Sequence, residues 1–413
     1  MSVKVRLYDK SFSLIFLHGF GYAAAQVVVY SVFMIPVLVL TFLISVAGVS
    51  FLLPNITRIA DKNNLYDMPD DRHIHVGKIP RLGGVAFLPV MIIALIVAVT
   101  MDTSIADNFQ DDVFFLHVRQ IMVAGIGTVI LYLVGMADDL SGVPYRNKFI
   151  AQIAAAAMMC ASGVWINNLH GFLGIWQLPV WVGVPLTVLL VLLVVNSINL
   201  IDGIDGLASG LCIIGMSSFA VIFTLQGFYR FAVVAVAAIG CLVPFYCYNV
   251  FGKVEKKNKI FMGDTGSLFM GYLLAFFAVK ISMLQPAAPA DNQSFYLVYA
   301  YSTLLLPAFD VMRVFMKRVR RTRNPFLPDK THIHHKFLAL GLNMRQARML
   351  IFIIAIFFFG MNISLSGFGV NINVIVLLDL VLWCGYHMLL TGTIIRRYRK
   401  PGVATVNSDL TTW

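Results

Sequence analysis

Runs of about 20 consecutive apolar residues recur along this 413-residue chain and limit the folds open to it. Hydrophobic residues make up 59% of the chain and charged residues 12%, roughly half the charged fraction of an ordinary soluble domain. This small amount of polar surface cannot cover a globular protein in water. Most of the protein's surface must therefore face lipid. The runs are continuous and do not alternate, which favours helices over a barrel. The sequence therefore predicts an all-α integral membrane protein, a polytopic bundle of about 10–11 transmembrane helices.

Hydropathy along the chain divides these runs into eleven predicted spans. The spans lie near residues 32–54, 83–101, 118–137, 149–166, 179–199, 207–226, 231–250, 266–285, 295–315, 348–366 and 371–393. The segment 11–31 is open to two interpretations, an interfacial helix or an additional span. We expect one transmembrane catalytic domain over 1–395, followed by a disordered cytoplasmic tail over 396–413.

The loops between these spans separate by charge. One set carries most of the Lys and Arg residues, whereas the alternate set is almost free of cations and contains several aspartates. Because cytoplasmic loops of membrane proteins are enriched in Lys and Arg, the basic set is predicted to lie in the cytoplasm. The formal net charge of +11 belongs to that face. Most of these cations are explained by topology and by contact with anionic lipid, although such a face also favours an anionic substrate.

Five polar clusters fall in or beside loops on the predicted cytoplasmic side, where ionisable groups at membrane depth are functional candidates. The first cluster contains Arg72 and ends in Gly83 and Gly84, which open a predicted helix. Glycines at a helix start could bring backbone N–H groups close to an anion, but an ordinary basic loop is an equal alternative. The second cluster is the pair Asp138 and Asp139 at the end of an apolar span, with Lys148 just beyond.

The third cluster interrupts an otherwise apolar run. Asn196, Asn199, Asp202 and Asp205 recur every three residues and so predict one polar helix face. A buried structural network is the alternative, but its two carboxylates would then require buried partners.

The fourth and fifth clusters offer further ligands for phosphate or metal. Asp264 lies between two glycine-containing turns at a predicted helix start, which suits either a Mg²⁺ ligand or a helix cap. Asp310 and Arg313 precede a segment with three histidines, His332, His334 and His335. That spacing could form a zinc site, but the neighbouring Lys330 and the absence of cysteine favour phosphate contacts. Asp379 and His387, which have no cluster around them, are expected to make helix–helix contacts.

Carboxylates, amides, histidines and cations thus converge from five loops on one membrane face. Phosphoryl transfer needs such a set: a metal that neutralises phosphate charge, cations that position it, and a carboxylate near the nucleophile. The competing class is a transporter for an anionic solute. Transporter sites usually lie near the membrane midplane between two repeats, whereas these acids lie at one edge and no repeat is visible.

The motifs NSINLIDGIDGLA, FMGDTGS and THIHH, in this order, resemble the polyprenyl-phosphate N-acetylhexosamine-1-phosphate transferase family between about Asp67 and Gly341. The HIHH form is similar to the GlcNAc-1-phosphate branch. The family has Arg-Lys where this chain has Arg72-His73, which leaves the role of His73 open. The resemblance implies transfer of a HexNAc-1-phosphate, expected to be GlcNAc-1-phosphate, from a UDP-sugar to polyprenyl (undecaprenyl) phosphate, with UMP as second product.

The resemblance also implies roles for individual residues. Asp264 would bind Mg²⁺, with Mn²⁺ as a substitute. Asp138 or Asp139 would contact the polyprenyl phosphate, one of them as its base, and Asn199 and Asp202 would line the catalytic centre. The expected substrate contacts are Asp205 and Phe261 at the uracil, His332, His334, His335 and Arg313 at the diphosphate and sugar, and Lys148, Arg72, Gly83 and Gly84.

Further expectations follow for the setting of the reaction. The protein is expected in the bacterial cytoplasmic (inner) membrane, with its active site on the cytoplasmic face and a product that initiates a cell-surface glycan of the cell wall or lipopolysaccharide. Its expected partners are the UDP-HexNAc, the polyprenyl phosphate and the lipid bilayer, with no nucleic acid. A homodimer is one option for the oligomeric state.

Overall fold

The computed structural model describes residues 22–63, 65–66, 79–101, 112–285, 292–320 and 331–398, with side chains described from residue 34 in the first range and from residue 115 in the fourth. Within these ranges the chain forms twelve α-helices. They are α1 (Tyr22–Lys62), α2 (Phe87–Met101), α3 (Asp112–Ser141), α4 (Tyr145–Ala161), α5 (Val180–Ile201), α6 (Leu207–Leu225), α7 (Tyr229–Phe251), α8 (Gly263–Ser282), α9 (Phe295–Arg320), α10 (Ile333–Ala339), α11 (Met344–Gly367) and α12 (Ile372–Tyr398). The predicted all-α fold is confirmed.

Ten of the described helices are long and apolar enough to cross a membrane. The remaining predicted span, near 149–166, corresponds to α4, whose 17 residues are at the short end of what spans a bilayer. The ambiguous segment 11–31 is described only from residue 22, where it forms the start of α1. The long apolar helices confirm a multi-pass membrane protein.

Helix α8 lies at the centre of the bundle. Its residues from Thr265 to Ser282 are all buried, and α3, α5, α6 and α9 pack around it. Its two ends mark the two faces of the bundle, because a straight helix of 20 residues is about 30 Å long. Asp264 lies at one end, and Ser282 at the other accepts a hydrogen bond of 2.8 Å from His170 in the hairpin between α4 and α5. Helix α4 therefore runs from the face that contains Asp264 to the face that contains the hairpin.

The C-terminal helices form a polar contact inside the bundle. The Oδ2 atom of Asp379 accepts hydrogen bonds from the Tyr301 hydroxyl at 2.7 Å and from Asn362 Nδ2 at 2.9 Å. These bonds join α12 to α9 and α11, which confirms the expected helix–helix role of Asp379. Helix α12 ends at Tyr398, so residues 396–398 of the predicted tail are helical, and the division into domain and tail stays a prediction. The rest of the predicted tail, 399–413, is outside the described residues.

Candidate active site

Three carboxylates from two helices meet at the end of the bundle marked by Asp264. Carboxylate oxygens of Asp138, Asp139 and Asp264 all lie within 4.8 Å of one another. The aspartate pair ends α3, and Asp264 is the second residue of α8. A close approach between the helices makes this possible, since a Cβ placed on Gly135 of α3 would lie 2.6 Å from the Thr265 Cα. The structure thus brings these three predicted site residues together.

Lys148 lies between two of these acids. Its Nζ is 2.7 Å from Asp138 Oδ2 and 2.6 Å from Asp264 Oδ2. The other oxygen of Asp138 accepts the backbone N–H of Val143 at 2.6 Å, which fixes the turn between α3 and α4. The ammonium group thus offsets the repulsion between two carboxylates that come from different helices.

Asp139 caps the central helix. Its Oδ1 accepts the N–H of Asp264 at 2.8 Å, and its Oδ2 accepts the N–H and the hydroxyl of Thr265 at 2.9 and 2.6 Å. These N–H groups have no partner within the helix, so a cap must satisfy them. The backbone at Gly263 has φ +70, and a Cβ there would lie 2.0 Å from the Arg81 carbonyl oxygen. Glycine is therefore required where the chain turns into α8.

The polar face of α5 reaches the same centre. Asn199 Nδ2 donates to Asp264 Oδ1 and to Ser267 Oγ, both at 2.9 Å. Asn196 instead bonds to Gln152 of α4 and so has a structural role. Asp202 follows the last residue of α5, and its carboxylate accepts no hydrogen bond from the described residues. Burial, together with the nearby charges of Asp205, Asp264 and Asp139, raises the pKa of Asp202 to about 7.

The turn after α5 has partners that the sequence analysis did not single out. Asp205 forms an ion pair with Lys259, and its backbone carbonyl accepts from Arg348 Nη1 at 2.6 Å. Asn249 Oδ1 accepts the N–H of Gly206 at 2.6 Å, while its Nδ2 donates to the Ile260 carbonyl at 2.8 Å. One buried amide therefore joins the Asp205 turn to the segment that contains Phe261. No local pattern marks Asn249, since a single polar residue near a helix end is common.

The two glycines of the first cluster have a different role from the predicted one. The N–H groups of Gly83 and Gly84 donate to the carbonyls of Phe261 and Met262, each at 2.9 Å. A Cβ on Gly84 would lie 2.1 Å from the backbone nitrogen of Gly266. The expectation that these N–H groups bind an anion is therefore wrong: they pair with the chain beside Phe261, and the missing side chain lets two backbones meet.

Residues 331–335, which contain the three histidines and are called the histidine segment below, are bonded to a buried carboxylate. Asp310, fully buried in α9, lies 2.8 Å from Arg313 Nη2 and 2.9 Å from His332 Nδ1, and it accepts the N–H of Ile333 at 3.1 Å. Arg313 Nη2 also donates to the Thr331 carbonyl at 2.6 Å. Asp310 and Arg313 thus secure the start of α10, and the predicted contact of Arg313 with a diphosphate stays a prediction.

His334 connects this segment to the acids. A Cβ on Gly203 would lie 2.4 Å from His334 Nε2, so the imidazole packs directly on the turn between Asp202 and Asp205. The rings of His332 and His334 are parallel with centroids 5.9 Å apart, and His335 lies 4.1 Å from His334. Burial and the neighbouring histidines hold the pKa of His334 well below its usual range, so its ring is neutral.

Most of the predicted site residues therefore meet at one end of the bundle. Lys148 and Asn199 bond directly to Asp264, and His334 packs on Gly203, between Asp202 and Asp205. Arg72 and His73 lie outside the described residues. Three oxygen ligands this close suit a hard divalent cation, and with the surrounding cations they suit a phosphorylated substrate. Fold and site together define a multi-pass membrane protein with an acidic centre at one end of its spans.

Comparison with known proteins places this arrangement in a family. Residues 121–282 match the model of glycosyl transferase family 4. A decaprenyl-phosphate N-acetylglucosaminephosphotransferase of Mycolicibacterium smegmatis is 30% identical over 300 residues, which cover 69% of this chain and 71% of the relative. A probable undecaprenyl-phosphate N-acetylglucosaminyl 1-phosphate transferase of Bacillus subtilis is 28% identical over 317 residues, or 76% and 81% of the two chains.

The undecaprenyl-phosphate alpha-N-acetylglucosaminyl 1-phosphate transferase of Yersinia pestis is 28% identical over 296 residues, 71% of this chain and 75% of the relative. The chain belongs to the polyprenyl-phosphate N-acetylhexosamine-1-phosphate transferase family, in its N-acetylglucosamine-1-phosphate branch. Neither these relatives nor the position of the acids at one end of the bundle supports the transporter alternative.

Proposed function

We propose that this protein transfers GlcNAc-1-phosphate from UDP-GlcNAc to a polyprenyl phosphate and releases UMP. The supporting observation is the group of three carboxylates within 4.8 Å of one another, with Lys148 and Asn199 bonded to Asp264. His334 packs on Gly203, in the turn that follows α5. The relatives named above transfer this sugar phosphate to a polyprenyl carrier. The uridine nucleotide donor and the Mg²⁺ ion belong to the proposal.

The reaction joins two anions, and the chain's residues must reduce their repulsion. An oxygen of the polyprenyl phosphate forms a bond to the sugar-linked phosphorus of UDP-GlcNAc. The bond from that phosphorus to the bridging oxygen breaks, and UMP leaves with its electron pair. Lys148 is placed to neutralise charge at Asp138 and Asp264 as the phosphates enter and leave.

Mg²⁺ would be held by Asp264 with Asp138, and when bound it would supply positive charge to the diphosphate. The oxygen ligands and their spacing fit this ion. Asp139 is a weaker ligand candidate, because both of its oxygens accept backbone N–H groups at the start of α8, whereas, among the described residues, one oxygen of Asp264 and one of Asp138 accept only from the Lys148 side chain. Asn199 orients the Asp264 carboxylate through Oδ1, which leaves Oδ2 directed toward Lys148.

The proposal also assigns the base that takes a proton from the polyprenyl phosphate. Asp139 is used as a cap and Asp138 is paired with Lys148, whereas the Asp202 carboxylate accepts no hydrogen bond from the described residues and has a pKa of about 7. A base with a pKa near the working pH is the most efficient, so we assign this role to Asp202. The sugar nucleotide would lie between Phe261, Asp205 and the histidines, with His334 as a neutral hydrogen-bonding group.

The setting of the reaction is also part of the proposal. The end of the bundle that contains Asp264 is assigned to the cytoplasm of a bacterial inner membrane, because the basic loops join the helices there. The lipid-linked sugar would then start a cell-surface glycan.

The direct test is to incubate the purified protein with polyprenyl phosphate and either UDP-GlcNAc or UDP-GalNAc, with Mg²⁺ or with EDTA. We expect a lipid-linked GlcNAc diphosphate and an equal amount of UMP, formed only with UDP-GlcNAc and Mg²⁺. Asp264→Asn should abolish the product. Asp61→Asn is the matched control, because Asp61 pairs with Lys257 at the surface, apart from the acid centre. A folded wild-type protein that forms no lipid product with any UDP-sugar would refute the proposal.

A further inference from the structure

The histidine segment leads into α10, a helix that is too short to be stable by itself. Helix α10 has seven residues, and isolated helices shorter than about 12 residues are marginal in water. His332 is the residue before α10, and His334 and His335 are its second and third residues. Their position relative to the acids must therefore be set by what α10 packs against. Asp310 holds the first turn, as described above.

The last turn of α10 is held by the end of α12. The Tyr398 hydroxyl donates to the Ala339 carbonyl at 3.0 Å, and Arg397 Nη1 donates to the Leu340 carbonyl. Carbonyls at the end of a helix have no partner within it, and a cation there is favourable. Arg397 fits this position because Gly341, with φ +85, turns the chain away without a side chain; a Cβ at Gly341 would lie 2.6 Å from Arg397 Nη2.

The middle of α10 is held by the same helix. Lys336, 2% exposed, donates from Nζ to Thr391 Oγ1 at 2.9 Å, and it lies 3.5 Å from His387 Nδ1. His387 and Thr391 are one turn apart on α12, and Tyr398 lies about two turns further along the same side. One face of α12 therefore contacts the second half of α10, from Lys336 to Leu340.

We propose that the final three turns of α12 are a positioning element for the histidines, with Thr391 and Tyr398 as positioning residues. They act through α10, whose far side places His334 against the turn between Asp202 and Asp205. This inference rests on the proposed function, since the histidines are assigned there to the sugar nucleotide. It extends the functional part of the chain to residues that the sequence analysis placed in a tail.

The test uses substitutions in the full chain that remove one hydroxyl each. Thr391→Val and Tyr398→Phe should each lower kcat/KM for UDP-GlcNAc about tenfold, the size expected for one hydrogen bond. The KM for polyprenyl phosphate should stay within twofold. Thr391→Ser, which keeps the hydroxyl, should restore wild-type values. Thr393→Val is the matched control, because the Thr393 hydroxyl is exposed and, among the described residues, bonds only to Leu389 of its own helix.

A double-mutant cycle shows whether Thr391 acts through the histidine. In a His334→Gln background, Thr391→Val should cause less than a twofold further loss. Wild-type kinetics in both hydroxyl variants would overturn the inference. So would a tenfold loss that persists in the His334→Gln background, or a loss explained by less folded protein whose remaining molecules turn over normally. Failure of wild-type transfer would instead refute the proposed function.

Discussion

Asp139 and Thr265 lie 126 residues apart, yet one carboxylate oxygen of Asp139 accepts both the N–H and the hydroxyl of Thr265. The other oxygen accepts the N–H of Asp264. The central helix of the bundle is thus capped by a residue from another helix. A cap that comes from a distant helix fixes the position of Asp264 as well as the start of α8.

This relationship predicts different results for the two adjacent aspartates. In Asp139→Asn one carboxylate oxygen becomes an NH₂ group that cannot accept from Thr265, which should lower the free energy of unfolding by about 1–3 kcal/mol. Asp138→Asn breaks only a partly exposed ion pair, with an expected effect below about 1 kcal/mol, but should reduce transfer strongly. Thermal unfolding in detergent and UMP release separate the two cases. Equal destabilisation by both substitutions would contradict the cap assignment.

Asp264→Asn tests where the metal binds. Asparagine keeps the size of the side chain but removes the charge that would hold Mg²⁺. We expect transfer to fall by several orders of magnitude while the protein stays folded, a loss typical of removing a metal's role. UMP release with and without added Mg²⁺ measures this effect. Near-normal, Mg²⁺-dependent release by the variant would move the metal to Asp138 and Asp139.

Asp202 predicts the pH dependence of the reaction. Burial and then the charges of Asp205, Asp264 and Asp139 raise its pKa to about 7, so below pH 7 it is protonated and cannot act as a base. The rate should fall about tenfold per pH unit below pH 7 and level off above it. Asp202→Asn should be slow and nearly independent of pH. A wild-type rate that does not change between pH 5.5 and 7 would rule out Asp202 as the base.

The raised pKa of Asp202 also affects stability: a rise in pH should increase the reaction rate but decrease the free energy of unfolding. Because the folded protein binds this proton more tightly than the unfolded chain, stability should decrease as the pH rises from about 4 to about 7. Above pH 7 the Asp202→Asn variant should therefore unfold at a higher temperature than the wild type. The two proteins should converge below pH 4, which thermal unfolding across this range can show.

Asp205 tests the nucleotide pocket. Its carboxylate is paired with Lys259 and its carbonyl is held by Arg348, so it is in place before a ligand arrives. Losing one polar contact in such a pocket costs about 1–3 kcal/mol, or roughly five- to 150-fold. Asp205→Ala should raise the KM for UDP-GlcNAc by that factor and leave the KM for polyprenyl phosphate unchanged. Equal changes for both substrates would contradict this assignment.

The orientation of the bundle can be tested with single cysteines in a cysteine-free background. Lys257 is 72% exposed in its side chain beside the acid face, and Leu173 is 71% exposed in the hairpin at the other face. In intact cells, a membrane-impermeant thiol reagent should label Leu173→Cys and not Lys257→Cys. The reverse labelling pattern would place the active site outside the cell.

The fold class, the face that carries the site and the family can all be predicted from local sequence. The length and continuity of the apolar runs determine helices that cross a bilayer. Lipid offers no hydrogen-bond partner to the backbone, so each N–H and C=O group must be paired within the segment itself. The charge of the loops and the positions of Asp138, Asp202 and Asp264 at the ends of spans indicate a common face. The motifs around Asn199, Asp264 and His334 indicate the family. None of these inferences requires a contact between distant residues.

The division of roles among these residues was decided by tertiary structure alone. Asp138 and Asp139 are adjacent residues of the same type, yet Asp138 pairs with Lys148 and Asp139 caps α8. The N–H groups of Gly83 and Gly84 are taken by Phe261 and Met262, and the end of α12 reaches α10. The Asp138–Lys148 pair joins residues ten positions apart. Each of the other outcomes depends on a hydrogen bond between residues about 60 to 180 positions apart in the chain, which only the packing of the helices brings together.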